Sequence, residues 1–301
     1  MKLLLVPNPA AGGGRAGRLL PAIRQSLSAC DFRFDVLSVA DAGLATGLRA
    51  DSLSGYDAVV AVGGDGTVFG VVNGLMRLAP ADRPVLGVIP VGTGNAFVRD
   101  LGLEPGDWRG AVDLLAAGRT RLVDVGEYRS LDHGTGADRF YWVNVIGAGF
   151  VVDAGRTAQG LKAFGRSAYT WAVLWRLMGL RSYRFRLELD GRVLDQDLLF
   201  AEISNTRYTG THFLIAPQAR CDDGEFDVTL VSRMPRWKLL RLFPMVFTGR
   251  HVQRPEVRML RARAIRLVAP AGLGLMADGE FRGTMPAEMR CLPRALRVFC
   301  R

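Results

Sequence analysis

Three segments of this 301-residue chain have the composition of phosphate-binding loops. They are Asn8-Pro-Ala-Ala-Gly-Gly-Gly-Arg15-Ala-Gly17, Gly63-Gly-Asp-Gly-Thr67 and Gly92-Thr-Gly-Asn95. Each follows a predicted strand. In an open parallel sheet, ligands sit beyond the carboxyl ends of the strands. Glycines there let backbone N–H groups approach phosphate oxygens, and the N-terminus of the following helix adds a favourable field. Thr67, Thr93 and Asn95 add neutral hydrogen bonds, while Arg15 and Arg18 can neutralise phosphate charge. Asp65 is different in kind. A carboxylate among phosphate-binding glycines repels the ligand unless a cation lies between them, so its chemistry points to Mg²⁺, directly or through water.

Each loop alone is a weak signal. Gly12, Gly14 and Gly17 have the spacing G-x-G-x-x-G, but Asn8-Pro-Ala-Ala separates them from the strand. A dinucleotide fingerprint needs its first glycine at the strand end, so an ordinary glycine turn is the better account of that segment by itself. No G-x-x-x-x-G-K-[ST] occurs. Three such loops on successive strands are much harder to explain as turns.

The elements that must position these loops follow from apolar patterning. Strands are predicted at Leu3–Val6, Phe34–Val39, Asp57–Val62 and Val85–Ile89, the third a continuous apolar run suited to burial on both faces. Helices are predicted near Arg18–Ala29, Thr67–Leu78, Ala96–Leu101 and Trp108–Ala117. Strand and helix in alternation imply a parallel sheet. After about Thr120 the texture changes. Strands are predicted at Arg121–Tyr128, Phe140–Val145, Tyr183–Asp190, Asp197–Ile203, Phe226–Leu230, Ala264–Val268 and Ala295–Cys300, with helices near Ser167–Leu180 and Trp237–Phe247. The expected fold class is α/β with two domains, an N-terminal parallel-sheet domain and a β-rich second one.

Composition narrows the function classes. Apolar residues at 49% and charged residues at 23% supply a large core and argue against disorder. The four cysteines are scattered without metal-ligand spacing, so neither zinc nor a disulfide framework is expected. The apolar start Leu3–Val6 is too short for a signal peptide, and no apolar run reaches membrane-spanning length, so a cytoplasmic protein is expected. Net charge is +10, yet residues 1–150 carry 14 basic and 15 acidic residues. The excess belongs to the second half, which argues against a chain that coats nucleic acid.

Taken in order, Asn8-Pro9, Gly63-Gly-Asp-Gly-Thr67, Pro90-Val-Gly-Thr-Gly-Asn95 and Asp278-Gly-Glu280 resemble the signature of the diacylglycerol kinase catalytic-domain family, in its bacterial lipid-kinase branch, with sphingosine and ceramide kinases as relatives. The resemblance covers essentially the whole chain. It implies a nucleotide-binding domain over 1–123 completed by a returning strand within 286–301, and a β-rich lipid-binding domain over 124–285. It implies ATP as phosphoryl donor and Mg²⁺ as cofactor. Asn8, Gly63, Gly64, Gly66, Thr67, Gly92, Thr93 and Asn95 would line the ATP site, with Arg15 near the phosphates. Asp65 would support Mg²⁺ or polarise the reacting groups, Asp278 would be the general base on a lipid hydroxyl, and Glu280 would contact a catalytic Mg²⁺. Taken alone, Asp278-Gly is an ordinary turn pair. A structural Mg²⁺ is implied at Asp223, with carbonyls around Arg220 and Glu225, and Asp124 matches a family aspartate of the metal network. One departure stands out: Ala96 lies where many relatives carry an aspartate after the third loop.

Ten basic residues and one acid, Glu256, fall within 233–266. Trp237–Phe247 in that window is amphipathic, with Leu239, Leu240, Leu242, Phe243, Val246 and Phe247 on one side. It reads either as an interfacial element on anionic lipid or as a core-facing helix. The expected partners are a lipid substrate and an anionic membrane surface at the inner face of the membrane. A homodimer is compatible with the sequence and nucleic acid is not. The alternatives to a lipid kinase are a kinase for a soluble substrate such as NAD and a non-catalytic nucleotide or lipid sensor.

Overall fold

The computed structural model describes residues 1–37, 48, 52–53, 55–132, 138–160, 171–172, 175–176, 179–210 and 212–301. Most of the helix expected over Ser167–Leu180, and the end of the strand expected over Phe34–Val39, lie outside the described residues. The chain divides into two compact units. One comprises Met1–Val125 with Arg294–Arg301, the other Gly126–Pro293.

The first unit is a parallel sheet. Strand β1 (Lys2–Pro7) leads through helix α1 (Arg15–Ala29) to β2 (Arg33–Val36), and β3 (Ala58–Gly63) leads through α2 (Asp65–Leu75) to β4 (Val85–Pro90). Short α3 (Phe97–Asp100) and α4 (Trp108–Ala117) follow, then β5 (Thr120–Ser130), which carries the chain out of the unit. The sheet order is β2-β1-β3-β4, all pairs parallel, and Val298 from the C-terminal segment pairs with Leu86 of β4, also parallel. Every residue of β3 is buried, as a central strand covered on both faces requires. Helix α1 buries Ala16, Ile23 and Leu27, spaced to lie on one stripe. This topology sends β1, β3 and β4 out at the same edge, so the loops after them must be neighbours.

The second unit is mostly antiparallel. It contains β6 (Arg139–Trp142), β7 (Val145–Gly149), α5 (Phe150–Gly160), β8 (Tyr183–Leu189), β9 (Arg192–Ser204), β10 (Phe226–Ser232), α6 (Arg236–Leu242), β11 (Val257–Ala262), β12 (Ala264–Ala269), β13 (Gly274–Ala277), β14 (Glu280–Thr284) and the start of β15 (Ala287–Phe299). Strand β9 is central, pairing with β7, β8 and β10.

Two expectations need correction here. The strand expected over Phe140–Val145 is two strands, interrupted at Val143 and Asn144, because Asp278 takes the N–H groups of Val143, Asn144 and Val145. The helix expected over Trp237–Phe247 is α-helical only over Arg236–Leu242 and continues as a 3₁₀ turn over Phe243–Thr248. Pro244 has no N–H to donate and its ring excludes the α-helical carbonyl four residues back. Leu239 and Leu242 are buried, but Leu240 and Phe247 are exposed, so the apolar face is shared between core and solvent.

Candidate functional site

The three glycine loops meet in the first unit, and main-chain contacts hold them together. The N–H groups of Val91 and Gly92 both donate to Gly63 O, at 3.0 and 2.9 Å. A Cβ on Gly92 would lie 2.3 Å from Gly64 Cα, and one on Gly12 would lie 2.5 Å from Val91 O. Both positions therefore require glycine, and they bring the first loop against the third and the third against the second. Asn8 N donates to Val62 O at 3.0 Å, and its Oδ1 accepts from Ala10 N at 3.2 Å, which turns the first loop.

Asp65 opens α2 and ties the second loop to the third. Its Oδ2 accepts from Asn95 N at 2.8 Å and its Oδ1 from Ala96 N at 2.9 Å. Burial pushes its carboxyl up to about 6, against these N–H donors, which favour the ionised form. Gly94 packs against this carboxylate, and a Cβ there would come within 2.4 Å of Asp65 Oδ2, so the carboxylate would have to shift. Asn95 takes a left-handed backbone (φ 59°), and its Nδ2 donates to Gly92 O at 2.8 Å. Ala96 thus contributes a backbone donor at the position where its side chain has no carboxylate to offer.

The residues fit a nucleotide. Thr67 Oγ1 is buried and unpartnered among the described residues. Gly12, Gly13 and Gly14 run through left-handed backbone (φ 62°, 63° and 81°) at the N-terminus of α1. Thr93 and Arg15 are exposed, Gly66 lies in the first turn of α2, and Arg15 Nη2 donates to Gly106 O at 3.2 Å. The loop carrying Gly106 is a fourth neighbour that the sequence did not mark. Asp124 is fully buried, and its Oδ1 accepts from Arg294 N at 2.7 Å. Among the described residues no three His, Cys, Asp or Glu side chains form a metal cage. Mg²⁺ bound by one or two carboxylates plus phosphate oxygens needs none.

In the second unit, Asp278 and Gly279 form a hairpin turn between β13 and β14, both with positive φ (49° and 87°). That is the backbone a two-residue turn with Asp-Gly adopts. The buried Asp278 carboxylate accepts three N–H bonds of 2.9 Å, from Val143 to Oδ2 and from Asn144 and Val145 to Oδ1. Glu280 is half-buried at the start of β14. Around this turn lies a buried polar network absent from the sequence expectations. Asn205 Nδ2 donates to Val143 O at 2.8 Å, Asn205 N donates to Asn144 O at 2.9 Å, and Thr206 Oγ1 bonds the Asn144 side chain. The available signal was polar residues inside apolar runs, Val143-Asn-Val and Ile203-Ser-Asn.

Arg220, Asp223 and Glu225 share no described partner with Asp278. Arg261 bonds Asp223 Oδ2 and sits 3.2 Å from Glu225 Oε2, and Arg263 lies 3.4 Å from Glu225 Oε1. Arg220 pairs with Asp222 at 3.4 Å. A guanidinium, then, meets Asp223, the carboxylate expected at a structural cation, and the Glu225 carboxylate beside it. Asp227 beside them is pushed up to about 6, first by burial; Arg261 pulls it down, while the neighbouring charges of Asp223 and Glu225 push it further up. The basic window is also partly neutralised, since Lys238 pairs with Glu256 and Arg266 with Glu288.

Comparison with known proteins covers both units. The Diacylglycerol kinase catalytic domain matches residues 2–128, and the YegS C-terminal NAD kinase beta sandwich-like domain matches 144–300. A diacylglycerol kinase of Mycobacterium tuberculosis (strain H37Rv) is 36% identical over 99% of this chain and 94% of its own length. One from Bacillus subtilis (strain 168) is 28% identical over 98% and 94%. A crystal structure of a diacylglycerol kinase from Bacillus anthracis (strain Sterne) shares the fold with TM-score 0.73 at 23% identity, covering 100% of this chain and 97% of that one. Another from the same organism gives TM-score 0.81 at 25% identity over 100% and 95%. With its N-terminal loops in one matched domain and its Asp278 turn in the other, the chain belongs to the diacylglycerol kinase family of lipid kinases.

Proposed function

We propose that the protein transfers the γ-phosphoryl group of ATP to the free hydroxyl of diacylglycerol. The observation that carries this is the convergence of three glycine loops, packed so closely that Gly12 and Gly92 have no room for a side chain. The relatives named diacylglycerol kinase support the choice of acceptor. Phosphoryl transfer depends on positioning and charge neutralisation more than on covalent help. In this assignment, main-chain N–H groups of Gly63, Gly64 and Gly66, with Asn8, Thr67, Thr93 and Asn95, hold the phosphates, Gly92 keeps the third loop against the second through its bond to Gly63 O, and Arg15 offsets the phosphate charge. Mg²⁺, when bound, neutralises charge developing on the β- and γ-phosphate oxygens. Asp65 keeps the second and third loops in register and, with Asp124, supplies acidic groups for a metal in the first unit; in the second unit Glu280 offers a further carboxylate. Asp278 orients the lipid hydroxyl and accepts its proton, its carboxylate aimed by three N–H donors.

The lipid lies in a bilayer, and the second unit has a surface suited to meet one. Trp237, Leu240 and Phe247 are 54%, 49% and 40% exposed, beside Arg236 and Arg241. Among the described residues no helix is long and apolar enough to cross a membrane. The test is radiolabelled transfer from γ-labelled ATP to diacylglycerol, sphingosine, ceramide and NAD, with lipids in vesicles with and without anionic lipid. Diacylglycerol labelled fastest in anionic vesicles, with a loss of about 10³-fold or more in Asp65→Ala and Asp278→Asn, is expected. Preferential labelling of NAD, or full activity in either variant, refutes the corresponding assignment.

A further inference from the structure

The second unit contains a pocket separate from the Asp278 turn. Its lining is mostly apolar and includes Phe150, Phe200, Phe213, Leu242, Phe243 and Val246. Three polar side chains enter it, Glu202, Thr209 and His251. Glu202 lies on β9 between Gly147 of β7 and Thr229 of β10 and is only 3% exposed. Thr209 donates a hydrogen bond to its carboxyl, and the second oxygen, Oε2, is buried with no partner among the described residues. Folding alone gives no reason to keep it. An unpaired carboxyl oxygen among phenylalanines is a liability unless a ligand meets it.

The titratable groups in the lining are Glu202 and His251. His251 is buried, with Nε2 3.0 Å from Ile215 O, and burial holds its pKa below the ordinary value, so the ring is neutral. Burial pushes Glu202 the other way, up to about 7, so the protonated acid is a major form at neutral pH and the dominant one below it. The pocket then offers one O–H donor within an apolar wall. Its volume of about 60 Å³ suits one small polar group and the methylenes next to it, not whole acyl chains. Phe213, Phe243 and Phe247 pack against one another in tilted and edge-to-face contacts, and Phe247 is 40% exposed, so the aromatic wall continues to the surface.

We propose that Glu202 is a specificity-determining residue, donating a hydrogen bond from its free carboxyl oxygen to the ester carbonyl of an uncharged acylglycerol whose neighbouring methylenes lie against Phe200, Phe213 and Phe243. This deepens the lipid-kinase reading and rests on it for the identity of the lipid. A buried acid that keeps its proton selects an ester acceptor over an ammonium, which would need the ionised carboxylate.

The test is isothermal titration of the full chain, without ATP, with dioctanoylglycerol and separately with sphingosine. Glu202→Gln retains a neutral donor and is expected to bind dioctanoylglycerol within about threefold of the parent. Glu202→Leu keeps the pocket apolar and is expected to bind about tenfold or more weakly, with the lipid KM rising in step and the ATP KM unchanged. Equal binding by Glu202→Leu overturns the proposal, since a water on Glu202 would give that result. So does loss of binding in Glu202→Gln, or tighter binding of sphingosine than of dioctanoylglycerol by the parent. Absence of dioctanoylglycerol binding by the parent also overturns it, and the transfer assay stands or falls separately because the titration needs no phosphoryl transfer. Should Glu202→Leu fail to fold, Glu202→Gln against the two lipids decides.

Discussion

The glycine loops of the first unit and the pocket of the second solve opposite problems. The loops must meet a highly charged ligand, and they do so with main chain: the contacts at Gly12 and Gly92 leave no room for side chains, and Asp65 accepts from the N–H groups of Asn95 and Ala96. The pocket must meet an uncharged one, and it does so with rings and a single buried acid, Glu202. A main-chain site fixes residue type at many positions, because each close approach excludes every residue but glycine. A side-chain site set into strands fixes few, because any inward-facing position of β9 could carry the polar group without altering the sheet.

The largest effect expected from breaking this contrast is at Gly92. Gly92→Ala places a methyl 2.3 Å from Gly64 Cα, backbone against backbone, so the two loops must separate. Overpacking of this kind costs about 1–3 kcal/mol, and here it falls on the phosphate-binding geometry. The ATP KM should rise by about 10- to 100-fold while dioctanoylglycerol binding in the second unit stays within error. Steady-state kinetics and the titration described above check both halves. An unchanged ATP KM would show that the close approach is incidental to nucleotide binding.

The same contrast explains what the sequence disclosed. The loops were legible because their glycines are forced by contacts, and β3 because a strand covered on both faces is an unbroken apolar run. The second unit was harder to read. Strands β11, β13 and β14 were not anticipated, and β6 and β7 were merged, because nothing in the run Phe140–Val145 says that a turn 133 residues away will draw off the N–H of Val145. Glu202 and Asn205 interrupt apolar stretches, a weak signal on its own. Ala96 was read only for the carboxylate it lacks, whereas its buried N–H is what the loop uses. Arg261, 38 residues from Asp223, could not be paired with it from spacing.

A smaller effect separates a buried acid from a solvated one. The Glu202 carboxyl has a folded-state value of about 7, above its ordinary 4.5. Between those values the folded chain holds a proton that the unfolded chain releases, so stability falls as pH rises through the window and levels off above it. The shift corresponds to at most about 3 kcal/mol. Glu202→Gln lacks this titration. Its melting temperature relative to the parent should therefore climb from pH 5 to pH 8, and a constant difference would mean that the acid is not held protonated. Asp65 and Asp227 shift in the same direction but are common to both proteins, so the difference isolates Glu202.

The smallest effect concerns the acidic cluster at Asp223. Arg261 is half-exposed and bridges Asp223 and Glu225, so its pairs are screened and contribute about 1 kcal/mol together at most. A guanidinium there does electrostatically what a divalent cation would do, holding carboxylates that otherwise repel one another and Asp227. Chelation by EDTA should then leave the melting temperature of the parent unchanged. Arg261→Ala removes the internal cation and exposes the repulsion. Its melting temperature should drop by a few degrees without Mg²⁺ and recover with it, since binding to the folded state alone stabilises by mass action. A parent that loses stability on chelation would show that Arg261 is not the resident charge, and that the second unit keeps these carboxylates for a metal.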